Sequence, residues 1–392
     1  INIKKKHLMY PKITILGCGL SGMLTALAFA KHNIPTIIIE SRSSKHKDFF
    51  KDVRTTALTS SSKKTFEEIG IWNEVEQISG AFNDIYVADD KAPQMLHFAS
   101  DDLAEGELMG YLVENSNFKK LLFKLVTNNK LVDLLEESSY DIKQNTEDGC
   151  TLVLNQKLEH ACDLLVVCDG MNSKARQRYF SSATEKFYSQ HAITFIVKHE
   201  KPHEGTAVEH FMPSGPFAIL PLKDQFLSSV VWTIASEKKD AIMNLPTDEL
   251  EYLVQQNFGD FLGKISMISE AGAFPLKLYE TKQYYNKKII LIADSAHIMH
   301  PLAGQGLNQG IKDIACLVEL ILEYGTSKHA LVQYQKARQT DNSNMLEITD
   351  TINALFSNKS KLLHSARQVG FKAIEEVPLF KKLLVKYAMG RR

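Results

Sequence analysis

The segment KITILGCGLSGMLTALAFAKHNIPTIIIE, residues 12–40, combines two β-branched runs with three closely spaced glycines. Residues 13–16 and 36–39 are typical of buried strands, and residues 24–30 are the small and apolar residues of a packed helix. This order predicts a strand, a tight turn, a helix and a second strand. Parallel strands joined through a helix form a right-handed crossover, so the segment predicts an α/β fold.

The three glycines lie at the predicted turn with the spacing G-x-G-x-x-G, and Glu40 ends the second strand. In this context the pattern is typical of a dinucleotide site. Gly17 permits the turn, Gly19 lets the backbone approach a pyrophosphate, and Gly22 lets the helix pack against the strand. The positive end of the helix then faces the phosphates, and Glu40 can accept hydrogen bonds from a ribose. The alternative is a glycine turn that binds no nucleotide.

The composition excludes several classes of protein. Of the 392 residues, 44% are hydrophobic and 23% charged, which is enough apolar material for a sizeable core. The length favours two packed domains over one. Lys+Arg and Asp+Glu both count 46, and no basic stripe with interleaved aromatic residues occurs, so nucleic acid is not an expected partner. The five cysteines include no C-x-x-C pair, which favours a reducing compartment over a structural zinc site.

The sequence predicts a cytoplasmic protein. No run of about 18 apolar residues is present, so a spanning helix is not expected. The basic segment 1–12 lacks the apolar core of a signal peptide, and whether residues 1–8 belong to the native protein stays open.

Further along the chain, CDLLVVCDG (162–170) and KKIILIAD (287–294) predict two more buried strands of the nucleotide-type sheet. Several short strands between them, over 191–235, predict an antiparallel sheet. The predicted fold class is α/β: a Rossmann-type domain with βαβ units, an inserted and mostly antiparallel substrate domain, and a C-terminal helical region. The predicted limits are 9–184 for the first part, with substrate-domain segments near 75–105, then 185–284 for the substrate domain, 285–350 for the second part and 351–392 for the C-terminal helices.

The segment ADSAHIMHPLAGQGLNQG, residues 293–310, allows two interpretations. Asp294, His297 and His300 could be metal ligands, but three-residue steps on a helix separate the first and third side chains by about 120°, and Pro301 forces His300 out of a helix. A metal is therefore not predicted. The alternative is that Asp294 ends a strand at the ligand-binding edge of the sheet, and that the glycine-rich loop lays bare backbone against a flat ring.

Three motifs together resemble those of the single-component flavin-dependent aromatic hydroxylases, the class A flavoprotein monooxygenases. They are GCGLSG (17–22), CDGMNSKAR (168–176) and ADSAHIMHPLAGQGLN (293–308). Within that group, HPLAGQGLN (300–308) and the segments DVRTTAL (52–58) and GYLVEN (110–115) are similar to the branch that hydroxylates polyprenylated rings in ubiquinone biosynthesis. Two departures stand out, because Ala293 replaces a usual glycine and Cys168 a smaller residue.

The resemblance implies a FAD site whose members follow the family's motifs. The first glycines would hold the pyrophosphate, Glu40 the adenosine ribose, and Asp294 ribityl or ribose hydroxyls. Arg54 would reach the flavin side, Asn115 the ribityl chain, and Asp169 with Gly170 both FAD and NAD(P)H. The loop 301–308 would lie beside the isoalloxazine ring. The full predicted set is Gly17, Gly19, Gly22, Glu40, Arg54, Asn115, Asp169, Gly170, Asp294, Pro301, Gly304, Gln305, Gly306, Leu307 and Asn308.

The same resemblance implies an enzyme that uses NAD(P)H and O2 to hydroxylate a prenylated phenol or quinone precursor. No catalytic base is identified, and the flavin-adjacent candidates are Pro301, Gly304 and Gln305. Other ubiquinone-biosynthesis proteins are candidate partners, and the basic C-terminal segment 380–392 allows peripheral contact with the inner face of a membrane.

Two alternatives stay open, a reductase of the same fold and a non-catalytic FAD-binding scaffold. A halogenase of this fold would be expected to contain a W-x-W-x-I-P segment, and it is disfavoured because the two tryptophans, Trp72 and Trp232, are far apart in the sequence. The hydroxylated carbon, the prenyl length, the choice of NADH or NADPH and the oligomeric state are not predicted.

Overall fold

The structure is a computed structural model that describes residues 10–90, 95–103, 107–358 and six positions between 360 and 374. The predictions for residues 1–8 and for the basic segment 380–392 lie outside these residues. Most of the predicted C-terminal helical region beyond 358 lies outside them as well. The predicted domain limits stay predictions.

The described elements are numbered in chain order. The strands are β1 (Ile13–Leu16), β2 (Thr36–Ile39), β3 (Thr55–Leu58), β4 (Ser79–Phe82), β5 (Asp84–Asp89), β6 (Met95–Ala99), β7 (Gly110–Glu114), β8 (Val132–Leu135), β9 (Tyr140–Asn145), β10 (Cys150–Leu154), β11 (Leu158–Cys162), β12 (Leu164–Val167), β13 (Ala183–His199), β14 (Thr206–Met212), β15 (Gly215–Pro221), β16 (Leu227–Ala235), β17 (Ile265–Met267), β18 (Gly272–Thr281), β19 (Tyr285–Asn286), β20 (Ile289–Leu291) and β21 (His297–Ile298). The helices are α1 (Leu20–Lys31), α2 (Ser60–Ile69), α3 (Trp72–Glu76), α4 (Asn115–Thr127), α5 (Lys174–Tyr179), α6 (Lys239–Met243), α7 (Thr247–Phe258), α8 (Gln305–Tyr324) and α9 (Lys328–Phe356).

The predicted βαβ unit forms the centre of a mostly parallel sheet. Its strand order is β19-β20-β12-β1-β2-β8, with β1 parallel to both β2 and β12. Residues of β1 and β12 are almost wholly buried, because helices cover the sheet and leave no polar face. The four strands β20, β12, β1 and β2 therefore end side by side at one edge of the sheet.

The predicted antiparallel sheet is also present and is larger than the segment 191–235. Its order is β21-β18-β13-β16-β15-β14-β5-β6, and β17 pairs with β13. Strands β5 and β6 come from the first half of the chain, and β5 joins this sheet by pairing in parallel with β14. The fold class is thus confirmed as α/β, with a parallel sheet and a separate antiparallel sheet that receives strands from several parts of the chain.

The two faces of the antiparallel sheet have different neighbours. One face packs on α7 through a core that includes Phe195, Phe217 and Trp232. The opposite face, called the inner face below, packs against β3, since Ser229 Oγ lies 2.8 Å from Thr55 Oγ1. The inner-face residues used below are Thr194, Val231, Thr233, Ala218, Leu220, Ala207, Glu209, Phe211, Ile85 and Val87.

A small sheet, β3-β7-β4, lies between these two layers. It carries the predicted site residues Arg54 and Asn115 at the ends of adjacent antiparallel strands. In the described part of the chain, no helix is both long enough and apolar enough to cross a bilayer.

Candidate cofactor site

The sequence motifs converge at one edge of the parallel sheet. Gly17 follows β1, Glu40 follows β2, Asp169 follows β12 two residues on, and Asp294 follows β20 three residues on. Because these strands are neighbours and parallel, their carboxyl ends meet, which is where open α/β sheets bind ligands. The structure therefore brings together the residues predicted from three separate motifs.

In the first glycine turn, two of the three glycines lie so close to neighbouring carbonyl oxygens that a Cβ would clash. Gly17 has φ of +96°, and a Cβ there would lie 2.8 Å from the carbonyl oxygen of Cys168. A Cβ on Gly22 would lie 2.0 Å from the carbonyl oxygen of Gly17. At Gly19, by contrast, a Cβ would meet no atom within 4 Å. The space beside Gly19 is thus open, and the N-terminus of α1 facing it has no side-chain cap, as an anion site requires.

Glu40 is almost fully buried and fixes the turn from the neighbouring strand. Its Oε2 accepts a hydrogen bond of 2.9 Å from the Cys18 N–H, and its Oε1 accepts one of 2.9 Å from the Arg42 N–H. Backbone N–H donors of this kind hold the carboxylate at the end of β2. Ribose binding by Glu40 stays a prediction.

The Asp169–Gly170 pair leaves an acceptor without a partner. The Tyr140 hydroxyl donates to Asp169 Oδ2 over 3.1 Å, whereas the buried Oδ1 has no hydrogen-bond partner within the described residues. Burial raises the pKa of Asp169 above its ordinary value. Beside it, Gly170 has φ of +80° and open space where a Cβ would be. A hydroxyl donor on a bound cofactor would satisfy Oδ1, since buried polar groups are normally paired.

Asp294 lies in a tight turn and faces the same cleft. Removal of solvent by the surrounding protein raises its pKa, while the nearby His297 and Arg54 act to lower it, yet the residue stays exposed. A carboxylate that is accessible but surrounded by protein lines a cleft rather than an outer surface. The Arg176 guanidinium donates to the carbonyl oxygens of Asp294 and Ser295 over 3.4 Å and 3.1 Å, which ties the 169–176 loop to this turn.

The turn at Asp294 is held by a buried ionic network that the sequence did not predict. Asp313 on α8 is fully buried and accepts a hydrogen bond of 3.0 Å from the Ala293 N–H. His297 Nε2 lies 2.6 Å from the same carboxylate, and Arg338 Nε on α9 donates to it over 2.7 Å. These contacts give His297 a structural partner, so it does not converge with Asp294 and His300. Within the residues that the structure describes, no group of three or more ligand-type side chains could hold a metal ion.

The glycine-rich loop is anchored to β3. Gly304 has φ of +61°, and a Cβ there would lie 3.2 Å from the Ala57 Cβ. Helix α8 begins at Gln305, and its N-cap residue Gly304 has the left-handed conformation. Gln305 is buried, Leu307 is half-buried against the main core and Pro301 is exposed. At Gly306, a Cβ would meet no atom within 4 Å. At Gly306 the loop therefore presents backbone beside open space, and its contact with a flavin ring stays a prediction.

The side-chain amide of Asn308 is hydrogen-bonded within the protein. Its Nδ2 donates to the carbonyl oxygens of Ala57 and Gly304 over 2.8 Å and 2.9 Å. Its Oδ1 accepts from the Thr59 N–H over 3.1 Å and from Ser62 Oγ over 2.6 Å. Both ends of the amide are thus used within the protein. Asn308 holds the loop against β3 and α2, and a direct contact with the flavin stays a prediction.

Arg54 and Asn115 lie side by side at the cleft. The Asn115 N–H donates to the Arg54 carbonyl oxygen over 3.0 Å. The Arg54 guanidinium forms two hydrogen bonds with Asp52, of 2.9 Å and 2.7 Å, and lies 5.1 Å from the centre of the Phe274 ring. Half of its side chain is exposed, so an arginine of fixed orientation faces the cleft. Its contact with the cofactor stays a prediction.

Ala293 and Gly310 form a tight pair that gives a testable prediction. Ala293 has φ of +52°, and a Cβ added at Gly310 would lie 2.7 Å from the Ala293 Cβ. We expect Gly310→Ala to lower the free energy of unfolding by about 1–3 kcal/mol through overpacking. The double variant Ala293→Gly/Gly310→Ala removes the clash, so its thermal melting should return toward the wild-type value. A double variant no more stable than Gly310→Ala would contradict this packing.

The residues at the cleft fit a dinucleotide-linked flavin. Open space beside Gly19 and Gly306 provides two cradles of bare backbone, and the unpartnered Asp169 Oδ1 lies at the same edge of the sheet as Gly19. The chemistry of the set, an uncapped helix N-terminus with carboxylates at two strand ends, suits a pyrophosphate and sugar hydroxyls.

Comparisons with known proteins agree with this geometry. The chain is 32% identical over 385 residues to the ubiquinone hydroxylase UbiL of Rhodospirillum rubrum, covering 96% of this chain and 89% of that protein. It is 28% identical to the 3-demethoxyubiquinol 3-hydroxylase of Escherichia coli, covering 97% and 98% of the two chains. Its fold matches the crystal structure of p-nitrophenol 4-monooxygenase from Pseudomonas putida with a TM-score of 0.81, 15% identity and coverage of 98% and 99%.

The family described as FAD binding domain matches residues 10–348, which include both halves of the cleft. The chain therefore belongs to the FAD binding domain family.

Proposed function

We propose that this protein is a FAD-dependent monooxygenase that hydroxylates the aromatic ring of a prenylated phenol in ubiquinone biosynthesis. The observation that carries the proposal is the placement of the cofactor cleft directly against the inner face of the antiparallel sheet. Leu302 of the glycine-rich loop packs in one cluster with Phe211 of that face, and Ala57 beneath the loop packs with Ala207. Relatives named for ring hydroxylation in ubiquinone biosynthesis, UbiL and the 3-demethoxyubiquinol 3-hydroxylase, support the substrate class.

The roles of the chain follow from this arrangement. Bound FAD supplies the transfer of one oxygen atom from O2 with two electrons from NAD(P)H. The first glycine turn binds the diphosphate, and the 301–306 backbone supports the ring system. The inner face offers an apolar wall to the substrate ring. Overall, the substrate ring, O2, NAD(P)H and a proton give the hydroxylated ring, water and NAD(P)+.

The proposed substrate suggests where the protein works. A polyprenyl tail partitions into lipid, so we propose peripheral contact with the inner face of a membrane and association with other ubiquinone-biosynthesis proteins. The described residues support this only through the apolar character of the inner face.

Isotope labelling tests the proposed reaction. The purified protein is loaded with FAD and supplied with NADH or NADPH and an ortho-prenylated phenol carrying one isoprene unit. Under 18O2 we expect one labelled oxygen in the product, because hydroxylation takes its oxygen from O2 rather than from water. Mass spectrometry of the product, with a parallel reaction in 18O-labelled water, provides the measurement.

The same experiment separates the alternatives. A reductase of this fold would consume NAD(P)H and yield a reduced product without oxygen label. A scaffold would bind FAD and consume no NAD(P)H with any prenylated phenol or quinone offered. Either result would overturn the proposal, and rescue of a host strain that lacks one ring-hydroxylation step would identify the carbon that is modified.

A further inference from the structure

A single carboxylate lies in the middle of the inner face. Glu209 is on β14, between Ala207 and Phe211 on the same side of the strand. Its neighbours across the sheet are Val87 on β5 and Ala218 on β15. All four neighbours are apolar, and the other carboxylate on this face, Asp89 opposite Phe211, is paired with Arg367. A charged side chain in apolar surroundings loses hydration free energy unless a partner compensates it.

Packing places Glu209 opposite the glycine-rich loop. Ala207, on one side of it, belongs to a cluster with Ala57, whose Cβ lies next to Gly304. Phe211, on the other side, belongs to a cluster with Leu302. Phe211 thus packs in one cluster with a residue of the glycine-rich loop, and Ala207 packs with the strand β3 against which that loop lies. Glu209 therefore faces the space between the inner face and the cofactor cleft.

Glu209 has no partner in the part of the chain that the structure describes. It makes no hydrogen bond or ion pair there, and its side chain is only partly buried. Loss of solvent alone raises its pKa to about 7. A carboxylate that keeps some accessible surface while the surrounding protein removes much of its water lines an internal cleft. Such a group is available to a ligand.

The same register row continues across the sheet to a second polar group. The row contains Glu209, Ala218, Val231 and Thr194 on adjacent strands. Three strand spacings of about 4.8 Å separate Glu209 from Thr194, so their Cα atoms are roughly 14 Å apart. The Thr194 hydroxyl is buried without a hydrogen-bond partner among the described residues, as is that of Thr233 on the same face. The side chains of Ala218 and Val231, between the two polar groups, form an apolar surface against which an aromatic ring can pack.

We propose that Glu209 is a catalytic residue that binds the ring hydroxyl of the phenolic substrate and takes up its proton during hydroxylation. This inference rests on the proposed function. The O–H bond of the phenol breaks, the proton moves to a Glu209 carboxylate oxygen, and the electron pair stays on the phenol oxygen. The resulting phenolate is a more electron-rich ring and accepts an electrophilic oxygen more readily. General acid–base catalysis of this kind contributes about 100-fold or more.

The other titratable groups on the elements around this face differ from Glu209, because each has an ionic partner or titrates away from neutral pH. Asp89 on β5 is paired with Arg367 over 2.9 Å, and Arg54 near β3 is paired with Asp52. Burial lowers the pKa of His300 to about 4, so this imidazole is neutral near pH 7. Asp350 on α9 pairs with Lys186 over 2.6 Å. Tyr188, which packs edge-on against His300, titrates well above neutral pH because burial raises its pKa.

The test compares Glu209→Gln with the matched control Glu270→Gln, an exposed glutamate that pairs with Lys51. Product formation from the ortho-prenylated phenol is measured between about pH 6 and 9, together with FAD content and the rate of flavin reduction by NAD(P)H. We expect wild-type product formation to rise through about pH 7, where Glu209 loses its proton. Glu209→Gln should lose this rise and form product about 100-fold more slowly, with unchanged FAD content. Glu270→Gln should match the wild type within twofold.

The methyl ether of the same phenol has no proton to give and provides a second measurement. We expect the wild type and Glu209→Gln to process the ether at equal, low rates. Equal product formation from the phenol by Glu209→Gln and wild type would overturn the role of Glu209 while leaving the proposed function intact. Absence of hydroxylated product from the wild type would instead overturn the proposed function. A Glu209→Gln protein without FAD would be replaced by Glu209→Asp, for which partial activity and a shifted pH profile are expected.

Discussion

Gly19→Ala is expected to fold normally and to bind FAD at least tenfold more weakly than the wild type. A Cβ at Gly19 meets no atom of the protein within 4 Å, and the backbone there has φ of −81°, which alanine adopts without strain. The apoprotein should therefore keep its free energy of unfolding within about 1 kcal/mol, a difference that reflects the poorer capping by alanine. The added methyl lies where a pyrophosphate must approach, so it costs about 1.4 kcal/mol or more of binding free energy.

The measurement is a titration of apoprotein with FAD, followed by flavin fluorescence, with thermal melting of the apoprotein in parallel. Gly22→Ala provides the contrast, because its Cβ would lie 2.0 Å from a backbone oxygen and should prevent normal folding even without the cofactor. The two substitutions lie in one motif but act differently, since Gly19→Ala weakens FAD binding whereas Gly22→Ala prevents normal folding. Wild-type FAD affinity in a folded Gly19→Ala protein would contradict the placement of the diphosphate.

The residues at the carboxyl edge of the parallel sheet could be predicted from the sequence, because the patterns that indicate them are local. Strand, glycine turn, helix and second strand follow one another within residues 12–40, and Gly22 and Glu40 are constrained by contacts inside that unit. The later strands β12 and β20 are apolar runs that end in Asp169 and Asp294, so their place beside β1 follows from the rules of parallel sheets. Each prediction depended on short spacings or on one topological rule.

The inner face was not predictable in the same way. Glu209 is one of three charged or polar residues in TAVEHF, and nothing in that string shows that Phe211 packs with Leu302, some 90 positions later. The register of β14 with β15 and β5 decides which side Glu209 faces. A shift of one residue would turn it to the opposite face, and a single sequence does not encode that shift in any local signal.

The role of Asn308 shows the limit of motif reasoning. Its place in the glycine-rich string predicted a position beside the ring, and in the structure its side chain makes five hydrogen bonds to other parts of the protein. The partners Thr59 and Ser62 lie about 250 positions earlier, so only the fold brings them together. Residues of a cofactor motif can therefore act by shaping the loop.

Asp313→Asn is expected to lower the free energy of unfolding by about 3–5 kcal/mol, the cost of breaking a buried ion pair by removing one charge. The Asp313 carboxylate is fully buried and is bound by Arg338, His297 and the Ala293 N–H. In the variant, the buried Arg338 guanidinium keeps its positive charge but loses the negative charge of Asp313 that compensates it. Since the same carboxylate fixes the turn before Asp294, FAD affinity should fall as well.

Asp341→Asn is the matched control, because Asp341 also pairs with Arg338, over 2.8 Å, but is partly exposed. Its loss should cost only about 1 kcal/mol, as for other partly solvated pairs. Chemical denaturation of both variants, with and without FAD, provides the measurement. Equal stabilities of the two variants would contradict a dominant role for the fully buried carboxylate.

The pH dependence of this difference has a defined sign. Arg338 and His297 hold the pKa of Asp313 far below its ordinary value. A carboxyl whose pKa is depressed in the folded state stabilises the protein above its unfolded pKa, near 4, and loses this contribution as the pH falls further. The stability difference between wild type and Asp313→Asn should therefore be constant above about pH 5 and shrink below about pH 4. A difference that grew on acidification would require Asp313 to be protonated in the folded protein, which the charged network around it opposes.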